Sequence, residues 1–450
     1  MHKRAVIIGG GISGLSAAFF LSQKITHKNL PLQITVLEAE DRFGGVLKTL
    51  RTRDFHMEAG ADALDGRDPA ILDFCRDLGL QNELVPCGST LNRVFLVKHN
   101  KFLPITLSQL DPFHLLRSSV LSLTARARLI LEGLIPTKRN GDDETIGDFV
   151  RRRFGGAFLK ELAEPLARGV LTGEAERLSL REYFPHWEKI ERECGSFSRA
   201  FIKQRNSEKK EENFFALRGG LDRLAGALLK NQKLVEFQTF SQAVSLERDK
   251  TWKVFLRDGR AIEADLVLIA LPAPEAAKLL AGPAPHLAAE LGKIRYDSLI
   301  AVNMIFRRDA LPAGFPKSGF IVPARAGEWP FASLKVIGKT DDGKFLRLRA
   351  FISGTFQSGV FSWEDEKIQR EILRVLSAQW RISPPCWIAL ERYSKALVQY
   401  EKGHARLLSN IERLLEPYPG LFLAGNSCRG FGISDCIRSA KTAVEGIEIF

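Results

Sequence analysis

Three glycines near the start of the chain have the spacing that brings a peptide backbone against a phosphate. In VIIGGGISGLSAA, Gly9, Gly11 and Gly14 form a G-x-G-x-x-G pattern after a short apolar run. The first glycine permits a tight turn, the second lets the backbone approach a pyrophosphate, and the third lets a helix pack closely on a strand. The helix that follows would direct its N-terminal N–H groups and its positive dipole end at the phosphates. The pattern predicts a dinucleotide site.

An acidic residue at the proper distance supports this interpretation. Glu38 ends the apolar run ITVLE, so its carboxylate would lie at the tip of the second strand of a β-α-β unit. A carboxylate in that position accepts hydrogen bonds from both ribose hydroxyls. The spacing therefore favours a bound dinucleotide over an ordinary glycine turn.

A glycine doublet directly after this acid distinguishes FAD from NAD. In EAEDRFGG, Arg42 is placed to reach the phosphates, while Gly44 and Gly45 permit backbone contact with a cofactor. The segment resembles the glycine doublet of the amine-oxidase-like flavoproteins, which NAD dehydrogenases lack. No second G-x-G-x-x-G follows a strand later in the chain, so a separate NADPH site is not expected. We expect FAD, reoxidised by oxygen or another external acceptor.

A second strand–loop–helix unit near the C-terminus is expected to complete the cofactor site. In LFLAGNSCRGFGISDCIRSAKTAVEGI a strand ends at Gly425, a glycine-containing loop follows, and a helix is expected from Asp435, with that residue as its N-cap. The N-terminus of this helix would face the flavin ring or the ribityl chain. The alternative is an ordinary strand–loop–helix that only closes the sheet.

Four segments together resemble one family, the oxygen-dependent protoporphyrinogen oxidases. They are GNSCRGFGISDCIRSA near the C-terminus, FFALRGGLDRLAGAL at 214–228, LAEPLARGVLTGEAERLS at 162–179 and QYEKGHARLLSNIERLL at 399–415. The similarity runs in order over essentially the whole chain. It implies oxidation of a porphyrinogen, with six electrons removed in three flavin cycles that each reduce oxygen to peroxide. The flavin abstracts hydride, and no side chain is expected to be an obligatory acid or base.

The resemblance also implies which residues contact FAD and substrate. Val244 would contact adenine through its backbone, and Arg93 in STLNRVFLV would pair with a substrate propionate. No metal ligand is implied. The full cofactor set is Gly9, Gly10, Gly11, Ile12, Ser13, Gly14, Glu38, Ala39, Arg42, Gly44, Gly45, Val46, Gly60, Ala61, Asp62, Ala63, Val244, Gly425, Asn426, Phe431, Gly432 and Ile433.

The chain departs from the family pattern in one cofactor segment. The family's usual Gly-Pro is Gly60-Ala61 here, and the next position, often Asn or Arg, is Asp62. Because an aspartate would repel a propionate, Asp62 is expected to face the flavin or a helix end.

The elements that must position these residues come from separate stretches of the chain. Strand-like and glycine-turn segments lie at both ends and in the middle, whereas 107–201 is helical and strongly basic. We expect an α/β protein with a discontinuous, Rossmann-like FAD-binding domain of residues 1–90, 213–290 and 405–450. A sheet-containing substrate-binding domain (91–106, 202–212 and 291–404) and a helical, membrane-associating domain (107–201) would be inserted into it.

Charge and hydropathy limit the partners. A net charge of +12 and a pI near 9.4 indicate an anionic partner. The basic residues are dispersed and form no known nucleic-acid module, so nucleic acid is not expected. Leucine-rich faces with arginines at 107–135 favour peripheral contact with an anionic membrane, and an ordinary amphipathic surface is the alternative. The sequence contains no run of 18 or more uncharged apolar residues, so a membrane-spanning helix is not expected.

The cysteines point to a reducing compartment. The chain has 6 cysteines and no C-x-x-C pair, which argues against metal ligation, a disulfide framework and a disulfide reductase. We expect a cytoplasmic protein, peripheral on the inner face of the cell membrane, and leave a homodimer open.

Three other functions stay open at this point. The same fold could oxidise coproporphyrinogen III to coproporphyrin III, although Arg93 favours protoporphyrinogen. An amine or carotenoid oxidoreductase is a second alternative, which the GNSCRGFGISDC and QYEKGH segments disfavour. A flavin or porphyrin carrier without activity is the third, and the retention of every flavin motif disfavours it.

Overall fold

The computed structural model divides the chain into two compact units. It describes residues 3–86, 93–98, 101–106, 112–138, 141–204, 214–230, 232, 234–312, 314–316, 318–322, 329–340, 343–428 and 430–448. The first unit comprises Met1–Cys87, Asn213–Arg295 and Ala405–Phe450, and the second comprises Gly88–Glu212 and Tyr296–His404. The mixed α/β fold class is confirmed. The helical residues of 107–201 fall in the same unit as the larger, mixed sheet.

A parallel sheet forms the centre of the first unit. Its strands are short and mostly apolar, as expected for a sheet that is covered on both faces. The sheet draws strands from all three segments of the unit. In the described residues their order is Val235–Gln238, Leu32–Leu37, Lys3–Ile8, Leu266–Ile269 and Leu421–Leu423, each pair parallel.

Two long helices pack against each other in this unit. The first helix, Ile12–Lys28, and the closing helix, Ile433–Glu445, share a core with the parallel sheet. Lys24 ties them together because its ammonium donates to the carbonyl oxygens of Val444 at 2.9 Å and Ile447 at 2.7 Å. A cation at the C-terminal end of a helix is favourable there.

Smaller elements complete the first unit. The remaining strands are Thr49–Arg51 with His56–Glu58, then Leu64–Asp65, Phe214–Leu217 and Leu84–Pro86, and an antiparallel group of Ala243–Arg248, Trp252–Leu256 and Ala261–Ala264. The remaining helices are Pro69–Asp77, Gln81–Glu83, Asp222–Lys230, Ala273–Leu280, Pro285–Leu291 and His404–Leu415, which begins at the boundary residue.

A mixed sheet divides the second unit into two cores. Side chains alternate between the faces of a strand, so Leu96 enters the core beneath the helices while Val97 enters the opposite core. The helix Asp365–Trp380 covers the second face. Among the described residues the strand order is Trp387–Gln399, Arg295–Arg307, Phe345–Ser353, Ser333–Lys339, Gly319–Ile321, Arg93–Lys98 and Lys101–Thr106.

The first core of this unit is built from short helices. They are Pro112–Arg117, Leu123–Ile130, Leu131–Leu134, Ile146–Phe154, Gly156–Phe158, Leu159–Ala163, Glu164–Leu166, Ala167–Leu171, Leu180–Tyr183, Pro185–Cys194 and Phe197–Gln204. Arg308–Ala310 and Ser358–Phe361 are further short helices of the unit. Among the described residues, no helix is both long and apolar enough to cross a membrane.

Candidate FAD site

The glycine turn forms where the first strand of the parallel sheet ends. Gly9 has a φ of 107°, and a Cβ there would lie 2.6 Å from the carbonyl oxygen of Ala270 on the neighbouring strand segment. A Cβ on Gly14 would lie 1.9 Å from the carbonyl oxygen of Gly9. Both positions therefore require glycine, as the sequence predicts.

The N-terminus of the first helix is open to an anion. Gly11 is the N-cap, and the first bond within the helix runs from the Leu15 N–H to the Gly11 carbonyl at 3.0 Å. The N–H groups of Ile12, Ser13 and Gly14 come before Leu15 in the chain and therefore have no acceptor within the helix. The first turn holds no acidic residue. These donors and the helix dipole suit the pyrophosphate of a dinucleotide.

Glu38 is held in place at the tip of the second strand. Its half-buried carboxylate accepts hydrogen bonds from the N–H groups of Gly10 and Glu40, both at 2.9 Å. The loop that follows Val235–Gln238 fixes the Glu38 backbone, because Ser241 N–H donates to its carbonyl at 2.7 Å. A carboxylate has about four acceptor positions, so about two remain for ribose hydroxyls. Ala39, the next residue, is exposed.

The glycine doublet lies directly against the first glycine turn. Gly44 N–H donates to the Gly10 carbonyl at 2.8 Å, and a Cβ on Gly45 would lie 3.1 Å from the Gly11 Cα. A Cβ on Gly11 would meet nothing nearer than the Gly45 Cα at 4.0 Å. The two backbones thus form a cradle without side chains, which fits a cofactor lying close to the main chain.

Arg42, which the sequence places within reach of the phosphates, contacts the backbone of its own loop, and its contact with a phosphate stays a prediction. Its guanidinium donates to the carbonyl oxygens of Gly45 and, at 3.2 Å, Leu47. These carbonyl oxygens lie within the reach of the guanidinium in its own loop, so they accept its hydrogen bonds. In this structure Arg42 holds the shape of the doublet, and Val46 beside it is exposed.

The closing segment, residues 425–433, lies beside the first helix. A Cβ on Gly425 would lie 3.7 Å from Ser13 Oγ, and Gly425 N–H donates to Ser439 Oγ at 3.0 Å. This proximity is necessary if the closing segment and the first glycine turn are to bind the same cofactor. Phe431 is 55% exposed, whereas Ile433 is buried. Arg429 lies outside the described residues, and Asn426 lies in the loop between the strand and the closing helix.

The predicted N-cap of the closing helix is corrected. The N-cap is Gly432, and Asp435 is the third residue of the helix. The Asp435 carboxylate turns back and accepts from Gly432 N–H at 3.1 Å, which satisfies the same end of the helix from inside it. Burial raises the pKa of the neighbouring Cys436 thiol to about 11, against a hydrogen bond with Ser13 that lowers it. Cys436 is therefore a neutral packing residue at pH 7.

Two further cofactor segments occupy defined positions in the first unit. Gly60, Ala61, Asp62 and Ala63 form a half-buried loop between the strands His56–Glu58 and Leu64–Asp65. Val244 lies at a bulge where it has no residue opposite it on the neighbouring strand, and it is 45% exposed. A bulge frees a strand's backbone from regular pairing, which suits the predicted backbone contact with adenine.

The predicted substrate residue Arg93 is placed only in part. It begins the strand Arg93–Lys98 and pairs with Thr106. Its side chain lies outside the described part of the structure, so its contact with a propionate stays a prediction.

Sequence reasoning missed the residues that support the site from a distance. Ser439 anchors Gly425, and Ser241 anchors Glu38. Glu58 supports the loop that begins at Gly60, because it accepts from Thr49 Oγ1 and from Leu221 N–H, both at 2.9 Å. A serine in a helix or a glutamate in a short strand carries no local signal, so only their tertiary contacts identify them.

The comparisons with known proteins agree with this geometry. A family model described as flavin containing amine oxidoreductase matches residues 12–447. The chain belongs to the flavin-containing amine oxidoreductase family, and its cofactor is FAD. The glycine cradle, the anion-binding helix end and the free acceptors of Glu38 fit that cofactor.

Two similar proteins align with nearly the whole chain. It is 28% identical over 470 residues to the coproporphyrinogen III oxidase of Bacillus subtilis (strain 168), which covers 98% of this chain and 97% of that protein. It is also 28% identical over 489 residues to the protoporphyrinogen oxidase of Bos taurus, covering 98% of each.

Solved structures show the same fold. A protein from Exiguobacterium sp. 255-15, provisionally named a protoporphyrinogen oxidase, superposes with a TM-score of 0.87 at 27% identity, covering 99% of this chain and 98% of that one. The cyclohexylamine oxidase of Brevibacterium oxydans IH-35A has a TM-score of 0.71 at 17% identity, covering 99% and 98%, and shows the fold alone.

Proposed function

We propose that this chain oxidises protoporphyrinogen IX to protoporphyrin IX in haem biosynthesis, with FAD as cofactor and oxygen as electron acceptor. The observation that carries the proposal is the flavin cradle in a chain whose similarity to named porphyrinogen oxidases extends over 98% of its length. FAD supplies the hydride acceptor and passes the electrons to oxygen. The chain itself would bind and orient that cofactor.

Each part of the cradle has a definite task in this proposal. The N–H groups of Ile12, Ser13 and Gly14 would hold the pyrophosphate, and Glu38 would hold the ribose. The closing segment would cover the cofactor beside Ser13 and keep water from it. No side chain is assigned a proton transfer. For hydride removal by the flavin, the protein needs only to position the substrate and to exclude water from the site.

The test is a parallel assay with two substrates. Purified protein should show the absorption spectrum of a bound oxidised flavin and should form fluorescent porphyrin from protoporphyrinogen IX, with oxygen consumed. Coproporphyrinogen III is the second candidate, because the Bacillus subtilis relative is named for it. A clear preference for coproporphyrinogen III would replace our choice of substrate. Turnover of neither porphyrinogen would reject the proposal and return an amine oxidoreductase to consideration.

We also propose that the protein is cytoplasmic and binds the inner face of the membrane peripherally. Four apolar side chains form an exposed stretch, here called the apolar patch: Leu123 (80% exposed), Ile130 (68%), Leu131 (49%) and Leu134 (77%). Exposed Arg117 lies on a neighbouring helix. Apolar side chains with nearby arginines are typical of interfacial helices.

Flotation with liposomes of anionic lipid tests this second proposal. Wild-type protein should float with the vesicles, and Leu123→Ser combined with Leu134→Ser should reduce the floating fraction severalfold. Leu234→Ser, which changes an exposed leucine of the first unit, is the matched control and should float like wild type. Wild-type protein that stays wholly in the soluble fraction would contradict membrane binding.

A further inference from the structure

The segment LAEPLARGVLTGEAERLS has no role in the flavin site, yet its geometry is unusual. Leu159–Ala163 and Ala167–Leu171 are wide, π-helical turns, a rare geometry that is frequent at functional sites. The helix ends at Thr172, whose φ of 53° is uncommon for a β-branched residue. A Cβ on Gly169 would lie 2.5 Å from Ile321, so this helix packs its backbone directly on the sheet.

Arg168, in the second wide turn, is held on two sides. Its Nε donates to Glu164 Oε1 at 2.7 Å, and the other carboxylate oxygen of Glu164 accepts from Ala175 N–H at 3.1 Å. The guanidinium carbon lies 4.5 Å from the centre of the Phe356 ring, within the range of a cation–π contact. The plane of the guanidinium is therefore fixed before any ligand arrives.

A buried carboxylate fixes the turn that carries Phe356. Asp297 is 6% exposed and accepts from Ser353 Oγ at 2.7 Å and from Thr355 Oγ1 at 3.1 Å. Phe356 N–H in turn donates to Ser353 Oγ at 3.4 Å. Since these bonds join a strand start, a strand end and the following turn, the ring has a rigid support.

The two terminal nitrogens of the Arg168 guanidinium donate no hydrogen bond within the described part of the chain. Of its N–H donors only Nε has a hydrogen-bond acceptor in the described part of the chain. The side chain is 29% exposed, and Val170 in the same turn is 49% exposed. The two terminal nitrogens form the fork that binds a carboxylate with two parallel hydrogen bonds.

We propose that Arg168 is a carboxylate-binding residue of the second unit, which takes a propionate of the substrate on its terminal nitrogens. This inference rests on the proposed porphyrinogen oxidation, since it names the group by which that substrate is held. Phe356 and Asp297 are positioning residues that keep the guanidinium plane fixed. Glu164 both orients Arg168 and reduces its net charge, so it weakens the attraction for an anion.

Porphyrin binding tests the assignment separately from turnover. The probes are protoporphyrin IX and its dimethyl ester in micelles of neutral detergent, followed by quenching of porphyrin fluorescence. Arg168→Gln should weaken binding of the free acid about tenfold to a hundredfold and leave binding of the ester nearly unchanged. Arg168→Lys, which keeps the charge and loses the fork, should fall between Arg168→Gln and wild type.

Two further variants distinguish a ligand-binding role from a structural one. Glu164→Gln should bind the free acid more tightly than wild type, because it removes the charge that opposes the ligand; a purely structural Arg168 gives no such gain. Arg374→Gln, which breaks an exposed pair with Glu371 in the same unit, is the matched control and should bind both probes normally.

The outcomes separate this inference from the proposed function. Three results would overturn the role of Arg168. The Arg168→Gln variant could lose affinity equally for the acid and the ester, it could bind the acid as tightly as wild type does, or wild type could bind neither probe. If Arg168→Gln does not fold by circular dichroism, the Arg168→Lys and Glu164→Gln results decide. Wild type that discriminates acid from ester yet oxidises neither porphyrinogen would reject the function and keep the carboxylate site. In an active enzyme we expect Arg168→Gln to raise KM far more than it lowers kcat.

Discussion

At the scale of single residues, the carboxylate of Glu38 shows how one side chain links strand, turn and cofactor. It accepts hydrogen bonds from the N–H groups of Gly10 and Glu40, and its oxygens can accept further hydrogen bonds from a ligand. The same group therefore shapes the glycine turn and, in the proposed site, would offer the ribose a charged partner. Charged hydrogen bonds are about twice as strong as neutral ones, so its loss should be measurable.

Glu38→Gln should weaken FAD binding by about tenfold or more, because the amide has one acceptor oxygen in place of two charged ones. Riboflavin 5′-phosphate lacks the adenosine ribose, so its affinity for the apoprotein should change little. Titration of apoprotein with each flavin, followed by flavin fluorescence, measures both constants. Glu40→Gln is the matched control, and equal losses for the two flavins in Glu38→Gln would contradict the ribose role.

For two glycines in helices, replacement by alanine is expected to change stability in opposite directions. In Gly14→Ala the new Cβ would lie 1.9 Å from a carbonyl oxygen, so the free energy of unfolding should fall by about 2 kcal/mol or more. In Gly226→Ala the Cβ meets nothing within 4 Å inside the helix Asp222–Lys230, so stability should rise by about 1 kcal/mol. Urea unfolding of both variants gives the two values. A Gly14→Ala protein as stable as wild type would show that helix and strand pack less closely there.

At the scale of elements, a buried network of charges joins the helices of the second unit. Glu191 is 5% exposed and accepts from Arg152 at 2.7 and 3.0 Å, while fully buried Arg153 lies 3.1 Å from it. Glu132, also fully buried, lies 3.4 Å from the Arg153 guanidinium and accepts from Ser196 Oγ at 2.7 Å. These pairs connect Ile146–Phe154 with Pro185–Cys194 and with the short helix Leu131–Leu134, which carries part of the apolar patch.

The pKa of Glu191 predicts a loss of stability in acid. Burial raises this pKa, but the hydrogen bonds and charges of Arg152 and Arg153 outweigh burial and hold it below the ordinary value of 4.5. A lowered pKa contributes stability that is complete above 4.5 and is lost as pH falls through the folded-state value. The free energy of unfolding should therefore decline below about pH 4.5, which denaturant titrations at a series of pH values would measure.

Glu191→Gln tests which group causes this decline. It should lose about 3 kcal/mol at pH 7, because it leaves buried arginines without their partner, and its stability should depend less on pH in the acid range. Glu371→Gln breaks an exposed pair and should cost less than about 1 kcal/mol. If the variant at 191 keeps the full acid slope of wild type, another carboxyl is responsible.

At the scale of the whole molecule, the parallel sheet unites distant parts of the chain. Its strands Lys3–Ile8, Leu266–Ile269 and Leu421–Leu423 are neighbours in space although more than a hundred residues separate each from the next in sequence. The cradle and the closing segment therefore exist only when all three segments of the first unit are folded. A cofactor that bridges them stabilises the folded unit by mass action.

FAD at one hundred times its dissociation constant should raise the free energy of unfolding of this unit by about 2.7 kcal/mol. Thermal unfolding of apoprotein, with and without added FAD, measures the shift. Glu38→Gln protein at the same FAD concentration should show a smaller shift because its affinity is lower. An identical unfolding temperature with and without FAD would mean that the cofactor does not bind the folded first unit.

The flavin motifs were predictable because their requirements are local. A positive φ at Gly9, the absence of a Cβ at Gly14 and an acid at a strand end depend on residues a few positions apart, so their spacing shows them. The same reasoning erred at the start of the closing helix, where Asp435 bonds back to Gly432 from inside the helix. It also gave no sign that Arg42 bonds the carbonyls of its own loop.

The sequence alone determined the cofactor class, the α/β fold class and the segments of the candidate flavin site, since each depends on backbone geometry that a short motif encodes. Only the tertiary structure decided which charged side chains stay available to a ligand. Arg168 is one of many arginines in the sequence, and it becomes a candidate only because Glu164, Phe356 and Asp297 fix its plane. Long-range packing creates that order, and no local pattern reports it.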